Sequence, residues 1–139
     1  MKNKGQNELL LNTILEEAYP GKFVSEHKGI PGREFRFDAA NIADKICIEI
    51  EGGIWLGSKG GHTSGMGYEQ NLEKYNLATL NGWRLLRYSP SSLKKHPEQI
   101  ILDVMALTGC KPTKISTRTT VRAKIADQTK LGSMQVRLS

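Results

Sequence analysis

From Asn7 to Ala18 the apolar residues Leu10, Leu11, Ile14, Leu15 and Ala18 recur every three or four positions until Pro20-Gly21 stops the run, which predicts a first helix. Lys22–His27 is a short strand candidate, and Lys28-Gly29-Ile30-Pro31-Gly32 is a turn rich in breakers. Glu34-Phe35-Arg36-Phe37-Asp38 then alternates polar with aromatic and predicts a half-buried strand. After a turn through Asn41–Lys45, Ile46-Cys47-Ile48-Glu49-Ile50-Glu51 alternates again, so the two runs read as an antiparallel hairpin. If its mirror point lies at Ala43 and Asp44, Asp38 falls opposite Glu49, with Cβ atoms about 5 Å apart.

Residues Gly52–Gly67 carry seven glycines among polar residues and predict a long mobile loop. Helical spacing returns from Tyr68 to Leu80 with Gly82 as its stop, Trp83–Tyr88 reads as a strand ended by Ser89-Pro90, and Pro97 opens a last helix that runs to Gly109. The expected order is α-β-β-β-α-β-α, an α/β (α+β) fold with a mixed central sheet flanked by helices.

The length of 139 residues and a 38% hydrophobic content suit one core. No stretch approaches the roughly 18 uncharged apolar residues of a membrane span. The first residues lack an apolar signal region, so a cytoplasmic protein with no membrane partner is expected. The net charge of +6 is unevenly spread: residues 1–109 hold 13 basic and 13 acidic side chains, whereas residues 110–139 hold seven cations against Asp127 alone. A domain over 1–109 with a basic tail over 110–139 is the expected organisation. The tail cations Lys111, Lys114, Arg118, Arg122 and Lys124 suit a polyanion such as DNA, and a tail that only aids solubility is the plainer alternative.

Cys47 and Cys110 are too far apart, with no CxxC or HxxxH spacing, for a structural zinc site, and both read as reduced thiols. The chemistry lies in the carboxylates. Asp38, Glu49 and Glu51 on paired strands would put three acids on one face beside the glycines, where like charges repel unless a cation such as a divalent metal neutralises them. The competing reading has Glu49 and Glu51 lining the solvated face of an edge strand.

Arg36-Phe37-Asp38, Ile48-Glu49-Ile50-Glu51-Gly52-Gly53-Ile54-Trp55, Gly61-His62-Thr63, Tyr68-Glu69, Glu73-Lys74-Tyr75-Asn76 and Gly82-Trp83-Arg84-Leu85-Leu86-Arg87 together resemble the PD-(D/E)XK superfamily. The likeness is to small phage and bacterial endonuclease-like proteins related to very-short-patch repair nucleases and Holliday junction resolvases, and it runs from about residue 8 to 108. It implies a restriction-endonuclease-like core in a bacterial host cell. The implied activity is Mg2+-dependent hydrolysis of DNA phosphodiester bonds, with Mn2+ able to substitute.

The resemblance also implies roles. Asp38 and Glu49 become metal ligands. Glu51 stands where the pattern has Lys, as a further ligand or a partner of Lys74, and Lys74 on the next helix takes over the basic role. Its plainer reading is a surface partner of Gln70. Glu8 on the first helix is a further candidate catalytic acid, with Glu16 and Glu17 as rivals. His62 is a candidate for general acid work or DNA binding, beside Lys59 and Thr63 among the glycines, and Trp55 for stacking on DNA. Trp83 is read as core. Structure-specific cutting by a homodimer fits this picture, and a catalytically silent DNA-binding module with the same fold is the alternative, kept open by Glu51.

Overall fold

The computed structural model describes residues 4–51 and 57–127, and side chains over 5–51 and 67–127. In chain order the elements are α1 (Lys4–Ala18), β1 (Val24–His27), β2 (Phe37–Asn41), β3 (Ile46–Ile50), α2 (Gly57–Leu80), β4 (Arg84–Tyr88), α3 (Pro90–Lys95), α4 (Pro97–Thr108) and a helix over 118–127, α5. The four strands form one mixed sheet in the order β1-β2-β3-β4. The β1/β2 and β2/β3 pairs are antiparallel, and β3/β4 is parallel. Parallel neighbours need a crossover, and α2 provides it.

The hairpin register agrees with the expected mirror point: Ala39 faces Ile48, Ala40 faces Cys47 and Asn41 faces Ile46. The turn over 42–45 is held by Asn41, whose Oδ1 accepts from the Asp44 N–H at 3.0 Å. The Lys45 N–H donates to the Ile42 carbonyl, with Lys45 at φ +55°.

Neither strand is half-buried, as alternation had suggested. All of β2 and Ile46–Glu49 of β3 are buried, because helices cover both faces. On one face Ala39, Ile46 and Ile48 pack with Leu10, Leu11, Ile14 and Leu15 of α1, Leu93 of α3 and Ile100, Ile101 and Val104 of α4. On the other, Phe37, Ala40 and Cys47 pack with Ala78 of α2 and with Trp83, which is core as expected. The chain turns tightly there. A Cβ on Gly29 would stand 2.6 Å from Phe37 and 2.7 Å from the Trp83 ring, whose Nε1 donates to the Gly29 carbonyl.

Four further expectations shift. The β2 strand begins at Phe37 rather than Glu34, since the aromatic alternation at Phe35 continues into a stretch without a ladder partner. The glycine-rich stretch is helical from Gly57 on, and residues 52–56 lie outside the described ones. Each Gly costs a helix about 1 kcal/mol against Ala, but extending an existing helix adds one hydrogen bond per residue fixed without a new nucleus. The anchored part, with Lys74 and Ala78 buried, supplies that helix. Ser89-Pro90 both ends β4 and starts α3, with Ser89 as N-cap accepting from the Ser92 N–H and Pro90 in the first turn.

The fourth shift concerns the basic C-terminal segment. Gly109 ends α4 in the left-handed conformation at φ 72°, but the core does not end there. Val121 is fully buried in the α1/α4 cluster, with Ile125 beside it. The Thr113 N–H donates to the Ala18 carbonyl at 2.7 Å, and the Tyr19 hydroxyl donates to the Cys110 carbonyl at 2.8 Å. Glu17 receives Lys124 at 2.7 Å and Ser116 Oγ at 3.3 Å, with Lys114 at 3.9 Å. Residues 110–127 are therefore a docked part of the body rather than a free arm.

Candidate active site

Beyond the Ala39–Ile48 pair, the β2/β3 ladder gives way to the two acidic side chains. The Ile50 N–H donates to Asp38 Oδ2 at 2.8 Å, and the Asp38 N–H donates to Glu49 Oε2 at 2.8 Å. Each carboxylate thus grips the backbone of the opposite strand, which fixes both side chains without using all their lone pairs. Both residues are buried, with 6% and 8% of their surface exposed. They share the α2 face of the sheet with Cys47, whose thiol is pushed up to about 12 by burial and then by the Glu49 charge.

Lys74 comes to this pair from α2. Its Nζ donates to Glu49 Oε1 in a very short contact and to the Arg36 carbonyl at 2.5 Å, and it lies 5.6 Å from the centroid of the Phe37 ring. With 9% of its surface exposed, Lys74 is not a surface partner of Gln70. Burial pushes the Glu49 carboxyl up from its ordinary value and nearby Asp38 adds to this, while Lys74 opposes both.

Glu51 lies one strand period beyond Glu49 and does not pair with Lys74. Its Oε1 lies 3.7 Å from Arg87 of β4, is buried, and has no hydrogen-bond partner among the described residues. Burial raises its carboxyl above the ordinary value, against the pull of Arg87 and then Lys74. Of the three acids expected together, Asp38 and Glu49 are interlocked and Glu51 leans toward the next strand. Among the described residues no three His, Cys, Asp or Glu side chains form a group able to hold a metal ion.

That set still fits one metal. Mg2+ keeps several waters and is commonly held by one or two carboxylates together with substrate phosphate oxygens, rather than by an all-protein cage. Asp38 and Glu49 supply such a pair of hard oxygen donors.

No family model, curated protein or solved structure matches the chain.

The rivals on α1 separate by location. Glu16 accepts from the Gly21 N–H at 3.1 Å and closes the turn after the helix, while Glu17 holds the C-terminal segment. Glu8 is half-buried one turn before Asn12, and Asn12 Nδ2 donates to the Asp38 carbonyl at 3.0 Å, so Glu8 shares the helix face that meets β2 at Asp38. The backbone of Lys59, His62 and Thr63 lies in α2, and their side chains, like all of Trp55, lie outside the described ones. Lys111, Lys114, Arg118 and Arg122 are exposed, and Lys124 is half-buried against Glu17.

Sequence reasoning missed two residues that touch this site. Asn12 gave no signal in a helical stripe. Arg87 had one: in a strand parallel to β3, alternation puts it on the face of Glu49, its ladder partner.

Proposed function

We propose that the protein is a Mg2+-dependent endodeoxyribonuclease with a restriction-endonuclease-like core, acting in phage or mobile-element DNA processing. The observation that carries this reading is the convergence of Asp38, Glu49 and Lys74: two interlocked carboxylates and a buried ammonium, contributed by a hairpin and the crossover helix behind it.

Asp38 and Glu49 would hold the metal, which when bound supplies Lewis-acid charge and acidifies water. Lys74, held by Glu49 and the Arg36 carbonyl, would orient the attacking water through its remaining N–H and offset negative charge as it builds on the phosphate. Water adds to phosphorus, the bond to the leaving sugar oxygen breaks, and that oxygen takes up a proton, leaving a phosphate monoester and a hydroxyl. The exposed cations Lys111, Lys114, Arg118 and Arg122 would contact backbone phosphates, which position DNA without reading its sequence.

A second reading, a DNA-binding module without catalysis, draws support from the same ion pair, since Lys74 itself supplies a counter-charge to Glu49. Supercoiled, linear and branched DNA incubated with the protein in Mg2+ or in EDTA separates the two. The nuclease reading expects metal-dependent cleavage that Asp38→Asn abolishes, because the amide oxygen still accepts from the Ile50 N–H but no longer carries charge for the metal. Cleavage by Asp38→Asn at the wild-type rate, or none by wild type on any DNA form, rejects it.

A further inference from the structure

We propose that Arg87 is the phosphate-binding residue of this site, an inference that rests on the reading of Asp38 and Glu49 as a centre acting on nucleic-acid phosphodiesters. Arg87 is the ladder partner of Glu49 on β4, and its guanidinium lies over the Tyr75 ring of α2 at 4.6 Å from the centroid. Half of its side chain is exposed. The stacked ring restrains the guanidinium plane and leaves its N–H edge open.

Among the described cations beside the carboxylate pair, Lys74 and Arg33 are committed, and Arg36 is exposed with no aromatic ring stacked against it among the described residues. Lys74 is enclosed between Glu49 and the Arg36 carbonyl. Arg33 donates through both terminal nitrogens to Glu73, at 2.6 and 3.1 Å. Arg87 has only Glu51 at 3.7 Å, among the described residues. That distance lies well beyond the roughly 2.7–2.9 Å of a charge-assisted hydrogen bond.

The pair is thus a loose electrostatic association in which Glu51 Oε1 gains no hydrogen bond and Arg87 spends no donor. A phosphate offers the fork two oxygens in matching geometry, which Glu51 at this distance does not. Arg87 then anchors the phosphate on the strand beside the carboxylate pair, Tyr75 is the shelf that aims it, and Glu51 holds the guanidinium at the site until the phosphate replaces it.

The test measures binding of a fluorescein-labelled DNA duplex by anisotropy, with Ca2+ in place of Mg2+, across salt from about 50 to 200 mM. Arg87→Ala is expected to raise Kd about tenfold or more and to lower the slope of log K against log salt by about 0.9, the share of one phosphate contact. Arg87→Lys should restore the slope but only part of the affinity, because charge returns without the fork. Tyr75→Ala, which keeps the charge and loses the shelf, should weaken binding with the slope unchanged, and it carries the test if Arg87→Ala does not fold. A purely structural Arg87 would lower the urea midpoint and leave the salt slope intact. Wild-type Kd and slope in Arg87→Ala, with wild-type protein cleaving DNA, overturn the role of Arg87 alone. A wild-type protein that neither binds nor cuts DNA overturns the nuclease reading and this inference with it.

Discussion

The Lys74–Glu49 pair makes a prediction in which the sign of an effect reverses. Both side chains are about nine-tenths buried, so truncating Lys74 to Met leaves an uncompensated carboxylate inside the protein. Breaking a buried pair in this way costs about 3–5 kcal/mol, a large share of the roughly 5–15 kcal/mol that holds a domain folded. For a chain of this size that lowers Tm by about 10–20 °C. Glu49→Gln is also destabilising on its own, since it leaves the buried Lys74 ammonium without a counter-charge. Added to Lys74→Met, however, it should recover stability, because the stranded charge disappears while the amide oxygen still accepts from the Asp38 N–H. Urea unfolding followed by circular dichroism, at neutral pH without divalent metal, reads this from the midpoint at constant slope. If Lys74→Met unfolds within about 0.5 kcal/mol of wild type, or if Glu49→Gln lowers the double variant further, the pair does not carry the charge balance argued here.

Cys110 is exposed and Cys47 is buried with its thiol held up near 12, so a disulfide reagent at pH 8 should modify one thiol in the native protein and the second only after unfolding; two rapid native equivalents would contradict the packing. Lys124 holds Glu17 below its ordinary carboxyl value of 4.5, so its stabilising contribution is complete above that pH and is lost as pH falls through the lowered value; Glu17→Gln should flatten the acid limb of the Tm profile, and an unchanged limb would refute the contact. Cutting the chain after Gly109 should destabilise it by several kcal/mol through loss of Val121 and Ile125 from the core, seen as a lower urea midpoint, whereas a merely electrostatic tail would leave that midpoint in place.

The hairpin was legible because its information is local: period-two alternation on both sides of a short turn sets the register, and the register sets which carboxylates meet. Lys74 was reached through resemblance, and its burial against Glu49 is a long-range result that helical spacing alone does not contain. The same limit hid α5. Val121 and Ile125 are isolated apolar residues among cations, and their place in the core follows from Glu17 and the α1 surface that receives them, far away in sequence. Glycine content misled in the other direction at α2, where propensity is local and the anchoring of the helix is not.

The turn over 42–45 acts as a ruler for chemistry that lies about 13 Å away along the strands. Asp38 and Glu49 grip each other's backbones only in the present register, and side chains alternate faces at every residue. One residue inserted into that surface turn would bring a different pair of side chains opposite each other and move one acid to the side of the sheet packed with Ile46 and Ile48. The turn can therefore vary in composition so long as the cap at Asn41 persists, but its length is a functional dimension of the protein. Variation in residue identity that keeps the Asn41 cap and the left-handed backbone at Lys45 would be silent, and variation in residue number would disassemble the site from a distance.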